Sequence, residues 1–201
     1  KLGLRWAPRD EVELRIAGFR VLKRNLVTDQ TIEPTQVAGF NQFYDDTNGA
    51  LIKNVAVGFD VHVTPSIVGT FQAMRRDIEI PTVRAGTNLQ LAPVQSQRDD
   101  QVSISFVWTA SRKVVVSAGA SAAQFTWDAT IPVGVPIRLT TKRIPLSVRW
   151  FQGKHWFGEA TATAVWQQVV RQPGVPDPAG REQFTTLDLS VGYLLPRRLG
   201  T

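Results

Sequence analysis

The chain has 201 residues, 43% of them hydrophobic, and no cysteine; this allows one sizeable core and excludes a disulfide framework, thiolate chemistry and a cysteine-based metal site. No stretch approaches the roughly 18 uninterrupted apolar residues of a transmembrane helix. The net charge of +6 would suit nucleic acid, but Lys and Arg gather at Arg75-Arg76, Arg112-Lys113, Lys142-Arg143 and Arg197-Arg198, which read mostly as strand ends and turns. No basic stripe or helix emerges, so no nucleic-acid partner is expected, and a charged rim or lumen at a membrane interface fits better.

Helical periodicity is nearly absent, and period-two alternation recurs from one end of the chain to the other. The first residue is Lys1 and no leader precedes it, which reads as a processed, trimmed or partial chain. Strands are expected at about 1–8 and 11–24, the second with Val12, Leu14 and Ile16 opposing Glu11, Glu13 and Arg15. After a long polar segment at about 25–50 comes a strand at 51–64, where Val55, Val57, Phe59, Val61 and Val63 share one face and Ala56, Gly58, Asp60 and His62 the other. A strand at 67–80 follows, then a long loop at 81–100 and a strand at 101–110, with Val102, Ile104, Phe106 and Trp108 opposing Ser103, Ser105 and Thr109. Strands at 114–127 and 139–151 flank a loop at 128–138; in the second, Ile144, Leu146, Val148 and Trp150 oppose Ser147 and Arg149.

The strand at 155–170 is the most informative. Trp156 and Trp166 share a face with Gly158, Ala160, Ala162 and Ala164, while Glu159, Thr161 and Thr163 face the other way. The two rings lie about 33 Å apart along an extended chain, and a tilt near 45° projects this to about 24 Å, the height of the apolar band of an outer-membrane barrel. Aromatic ends with small middles suit lipid, since a soluble core would want bulk at its centre. After a loop at 171–183, the last strand at 184–195 sets Leu187, Leu189, Val191 and Tyr193 against Asp188, Ser190 and Gly192.

Connection lengths alternate. Short turns fall at Pro8-Arg9-Asp10, Thr64-Pro65-Ser66, Ser111-Arg112-Lys113 and Gln152-Gly153-Lys154, and the long loops lie between them, as periplasmic turns alternate with extracellular loops. The resulting expectation is an all-β fold: an antiparallel up-and-down transmembrane β-barrel, present as a partial barrel of about nine strands. Nine strands beginning and ending in the same direction do not complete a barrel with an even strand number. Residues 1–201 are therefore expected to be a single barrel segment truncated at both ends.

Glu33 to Asp46, Arg75 to Pro81 and Leu187 to Arg198 together resemble the C-terminal part of TonB-dependent-receptor-like outer-membrane barrels, of the divergent kind fused to tetratricopeptide repeats. The resemblance implies passage of a solute or polymer through the bacterial outer membrane, or anchoring in it, with periplasmic proteins as partners. No plug domain and no TonB box are visible, and the family's turn after the Tyr-Leu-Leu-Pro-Arg-Arg stretch leads into further strands that are not in this sequence.

Candidate residues follow from alternation. Arg15, Asp60, Arg149, Glu159 and Asp188 are candidate lumen-lining charges; Glu11, Glu13 and Asp77 are read with the carboxylates as channel lining or as partners for Arg15, Arg75 and Arg149. Phe40, Asn41, Phe43 and Tyr44 form a candidate extracellular ligand loop, whose plainer reading is a segment folded back over the barrel mouth. Trp108, Trp127, Trp150, Trp156, Trp166 and Tyr193 form the expected membrane-interface girdle. Asp45-Asp46 beside Asn48 could offer calcium hard oxygen ligands, but the same run is ordinary turn chemistry; no metal or other cofactor is expected. His62 and His155 have no companion at metal-ligand spacing, and no nucleophile elbow or phosphate loop is present, so no enzyme is expected. Three functions compete: a transport or export barrel, a soluble barrel or sandwich binding module with its apolar faces turned inward, and a structural outer-membrane anchor.

Overall fold

The computed structural model describes residues 1–22, 36–41, 49–84, 90–128, 136–153, 155–172 and 180–193. Nine long strands form one antiparallel sheet: β1 (Leu2–Arg9), β2 (Val12–Leu22), β5 (Leu51–Thr64), β6 (Ile67–Arg84), β7 (Gln90–Ser111), β8 (Val114–Trp127), β9 (Pro136–Gln152), β10 (Trp156–Arg171) and β11 (Arg181–Tyr193). Each pairs with its sequence neighbours in that order, and a separate two-stranded hairpin, β3 (Gln36–Val37) and β4 (Phe40–Asn41), lies between β2 and β5 in sequence. No helix occurs among the described residues. The sheet is not closed: β1 pairs only with β2 and β11 only with β10, so these two are its edges, as strand parity predicts.

The expected strands are present, but the expected long loops are shorter. The stretch at 81–100 is not a loop: β6 continues to Arg84 and β7 begins at Gln90, so this hairpin extends well beyond its neighbours. Its polar composition misleads because charges pair across it. Arg75, Arg76 and Asp77 lie opposite Asp100, Asp99 and Arg98, and opposite charges directly across a ladder stabilise it. The stretch at 128–138 gives way to β9 from Pro136, the stretch at 171–183 to β11 from Arg181, and the stretch at 25–50 contains the β3–β4 hairpin.

The register carries one apolar face across the whole sheet. Trp6, Leu14, Phe59, Phe71 and Ile104 lie in one row across β1, β2, β5, β6 and β7. Phe106, Ala118, Leu146, Ala162 and Leu187 form another across β7 to β11. No layer covers this face among the described residues: Leu187 is 68%, Leu189 73% and Val191 69% exposed, and Val55, Phe59, Ile104, Phe106, Leu146 and Val148 are also exposed, while Val57 and Val61 are half-buried. So large a contiguous apolar surface is rare on soluble monomers. The opposite face, bearing Thr70, Ser103, Ser105, Ser121, Thr161 and Thr163, is polar throughout the middle of the sheet.

Buried apolar residues form two small clusters on the polar face rather than one core. Ala17, Phe40 and Ala56 pack with Val37, Ala38 and Met74, and Ala50, Ile52 and Ile78 pack with Ile80. The paired basic residues are not mostly at strand ends. Arg75-Arg76 and Lys142-Arg143 are mid-strand, and because successive strand residues point oppositely, each pair puts one cation on each face.

Candidate functional site

The hairpin β3–β4 lies on the polar face over β2 and β5. Its turn is Ala38-Gly39, both with positive φ (48° and 82°), the geometry of a two-residue type I′ connection. The turn delivers Phe40, 6% exposed, onto Ala17 and Ala56. Arg15 stacks on the same ring, its guanidinium carbon 5.1 Å from the centroid, within cation–π range. Gly58 makes this possible: a Cβ there would lie 3.0 Å from Phe40 Cζ and 3.2 Å from Arg15 Nη2.

Around this ring the charges form a ladder. In register Arg5 faces Arg15 and Glu13 faces Asp60, so like charges stand directly opposite, an unfavourable arrangement by itself. Diagonal pairing resolves it. Arg5 donates two hydrogen bonds to Glu13, at 2.8 and 2.9 Å, and Arg15 Nη2 lies 2.8 Å from Asp60 Oδ2 and its Nε 3.8 Å from Glu13. The candidate lumen residues Arg15 and Asp60 are thus brought together, as are Arg149 and Glu159, whose Nη2–Oε2 distance is 2.6 Å and whose carboxylate also accepts a hydrogen bond from Ser147 Oγ at 3.1 Å. Asp188 lies opposite Thr161, exposed, on the same face.

A second polar cluster was not visible as a site in the sequence. Asp99, 1% exposed, accepts from Gln101 Nε2 at 2.9 Å and lies 3.3 Å from Arg76 Nη2; Asn54, also buried and opposite Arg76 on the other side, donates from Nδ2 to Met74 Sδ at 3.4 Å. Asp99 Oδ1 and Asn54 Oδ1 have no hydrogen-bond partner among the described residues. The signal lay in the mirror complementarity of Arg75-Arg76-Asp77 and Arg98-Asp99-Asp100, legible only once both are placed on strands. Arg75 and Asp77 then fall on the apolar side of the sheet, bonded to Asp100 (2.6 Å) and Arg98 (2.8 Å), and not on the polar side with the other carboxylates.

Between the hairpin and the middle strands lies a cavity of about 520 Å³, lined by Phe40, Gln72, Gln101, Ser103, Ser121, Thr141, Arg143 and Gln167 among others. Its wall is mixed: Gln, Ser and Thr side chains offer neutral donors and acceptors beside one guanidinium, while Phe40, Met74, Val102, Ala122, Ala123, Phe125 and Leu139 are apolar. Such a wall offers a few hydrogen bonds, one positive charge and apolar surface to whatever enters it. Among the described residues no group of His, Asp and Glu could hold a metal ion.

The girdle residues divide. Trp150, Trp156 and Tyr193 cluster at the short-turn end of the apolar face, with Trp156 and Tyr193 rings 4.9 Å apart and edge-on and Trp150 lying across Gly158. Trp108 stands on the same face, opposite Ile67 and Val116, and Trp166 on it at the far end, opposite Lys142. Trp127 lies opposite Gln97 on the polar face and stacks on Phe125, 6.1 Å between centroids. His62 is exposed on the polar face and His155 sits 5.4 Å from the Tyr193 ring. Asn41 lies in β4 opposite Gln36; Phe43, Tyr44, Asp45, Asp46, Asn48 and the Arg197-Arg198 pair lie outside the described residues.

Searches against protein-family models, curated proteins and solved structures give no match for this chain.

Proposed function

We propose that this chain is part of the wall of a bacterial outer-membrane β-barrel, with its apolar face against lipid and its polar face on a lumen through which a hydrophilic solute or polymer passes. One observation carries the reading: an uncovered apolar face spans all nine strands, with Trp150, Trp156 and Tyr193 at one end and polar rows at the other. A soluble protein of this topology would turn that face inward. Lipid is the solvent in which it needs no cover, and rings at the ends of the band suit the membrane–water interfaces. The cavity beside Phe40 is then a constriction on the path, its wall divided between hydrogen-bonding side chains, Arg143 and apolar groups.

Flotation with phosphatidylcholine vesicles tests the membrane assignment. The purified chain is expected to float and to need detergent for solubility; a monodisperse, detergent-free protein that stays at the bottom of the gradient would overturn it. The hairpin packed on the polar face also favours a second reading, a filled barrel serving as an anchor. Single-channel conductance of the intact protein separates the two, since an anchor is expected to carry no current.

A further inference from the structure

We propose that the apolar face carries a binding site for a lipid with an anionic phosphate headgroup, formed by Arg138, Lys142 and Arg181 around Thr140 and Gln168. The inference rests on the membrane reading above and adds a ligand to it. The register defines the site. Thr140 lies opposite Gln168 and Gln168 opposite Arg181, while Arg138 and Lys142 stand two residues either side of Thr140 on the same face of β9. The three cations thus form a triangle with sides of about 12–13 Å between Cα positions, given rises of about 3.3 Å and strand spacings of about 4.8 Å. Long Lys and Arg side chains can converge on one headgroup from such positions. All three are exposed and form no ion pair among the described residues.

The charge balance of this face is lopsided. On the β5–β7 side its cations are matched: Lys53 with Glu79, Arg75 with Asp100 and Arg98 with Asp77. From β8 to β11 the strands contribute no carboxylate to this face. Arg138 lines a neighbouring pocket with Asp77, Glu79, Asp100 and Asp128, and Lys142 another with Asp100, but neither cation forms an ion pair with them among the described residues. Position completes the argument. Lys142 shares a row with Trp166, and the next rows toward the short-turn end are apolar: Ile144 beside Ala164, then Leu146, Ala162 and Leu187. A phosphate held by the triangle therefore has its acyl chains directed down a greasy wall, which a free phosphate could not use. Juxtamembrane cations attract anionic headgroups in this way.

The test uses the full chain in a neutral detergent, titrated with dihexanoyl phosphatidic acid and followed by calorimetry. Saturable binding is expected, with at least tenfold weaker binding of dihexanoyl phosphatidylcholine and of inorganic phosphate. The triple variant Arg138→Gln/Lys142→Gln/Arg181→Gln is expected to lose roughly a hundredfold in affinity. The charge-keeping triple Arg138→Lys/Lys142→Arg/Arg181→Lys and the polar-face variant Arg143→Gln are expected to bind like the parent, which separates loss of the site from loss of folding. Equal binding of the two lipids, equal binding of inorganic phosphate, or an equal loss in Arg143→Gln would overturn the proposal. A chain that floats with phosphatidylcholine vesicles yet shows no preference for phosphatidic acid defeats this inference alone; one that does not float defeats the membrane reading beneath it.

Discussion

Phe40 joins the hairpin to the sheet, and its energetics rest on three residues at once. Its ring is buried against Ala17 and Ala56, stacked under Arg15 and admitted by Gly58. Truncation of a buried Phe to Ala costs about 3–5 kcal/mol in a full core; in this small cluster Phe40→Ala is expected to cost about 2–3 kcal/mol, measured by urea unfolding in detergent or vesicles. Gly58→Val should act through the same contact from the other side, releasing residues 36–41 to limited proteolysis while the strands stay protected. If both variants kept the hairpin resistant to protease, the packing described would be wrong. Arg15 and Asp60 invite a double-mutant cycle. Removing either leaves a shielded charge facing its remaining like-charged neighbour, so the double variant Arg15→Met/Asp60→Leu is expected to be more stable than the sum of the single losses, with a coupling of about 1–3 kcal/mol. The surface pair Arg149–Glu159, with Arg149 half exposed, should show less than about 1 kcal/mol.

At the scale of the strand, the two faces make opposite demands, and β10 tests them side by side. Ala162 lies mid-band between Leu146 and Leu187, and Thr163 is the next residue, on the polar face. In a bilayer Ala162→Arg is expected to cost about 2–4 kcal/mol and Thr163→Arg close to nothing, as read from unfolding in vesicles; similar costs at both positions would remove the assignment of faces. Alternation made these strands legible, because one residue of offset reverses every side chain. The Trp156–Trp166 spacing and the four short turns were legible for the same reason, and the open edges from strand parity. The β6–β7 extension was not, since Arg, Asp, Gln and Pro between 81 and 100 have the composition of a loop and only cross-strand complementarity reveals the pairing. The β3–β4 hairpin was hidden because its turn is Ala-Gly, without the Asn or Asp that usually marks positive φ. Trp127 ends a strand as the girdle rings do, but the odd-numbered positions of β8 belong to the polar face.

For the whole molecule, the unpaired edges set the terms. In hydrocarbon each free N–H or C=O of β1 or β11 would cost several kcal/mol, so a membrane-embedded form must satisfy both edges, and in the open sheet they do not pair with each other. Cysteines introduced at Gly3 or Arg5 in β1 and at Thr186 or Asp188 in β11 are therefore expected to form no disulfide within one chain. A fast intrachain cross-link would instead establish closure of β1 on β11. The same meander has a kinetic consequence. Because every long strand pairs with its sequence neighbours, most steps of assembly join segments already close along the chain, and loop-closure entropy grows only slowly as hairpins are added. Sealing the outermost strands is the one event whose ends are far apart in the chain, or belong to another segment. The sheet should thus form quickly as a curtain and wait, its two margins unmet, for the step that makes it a wall.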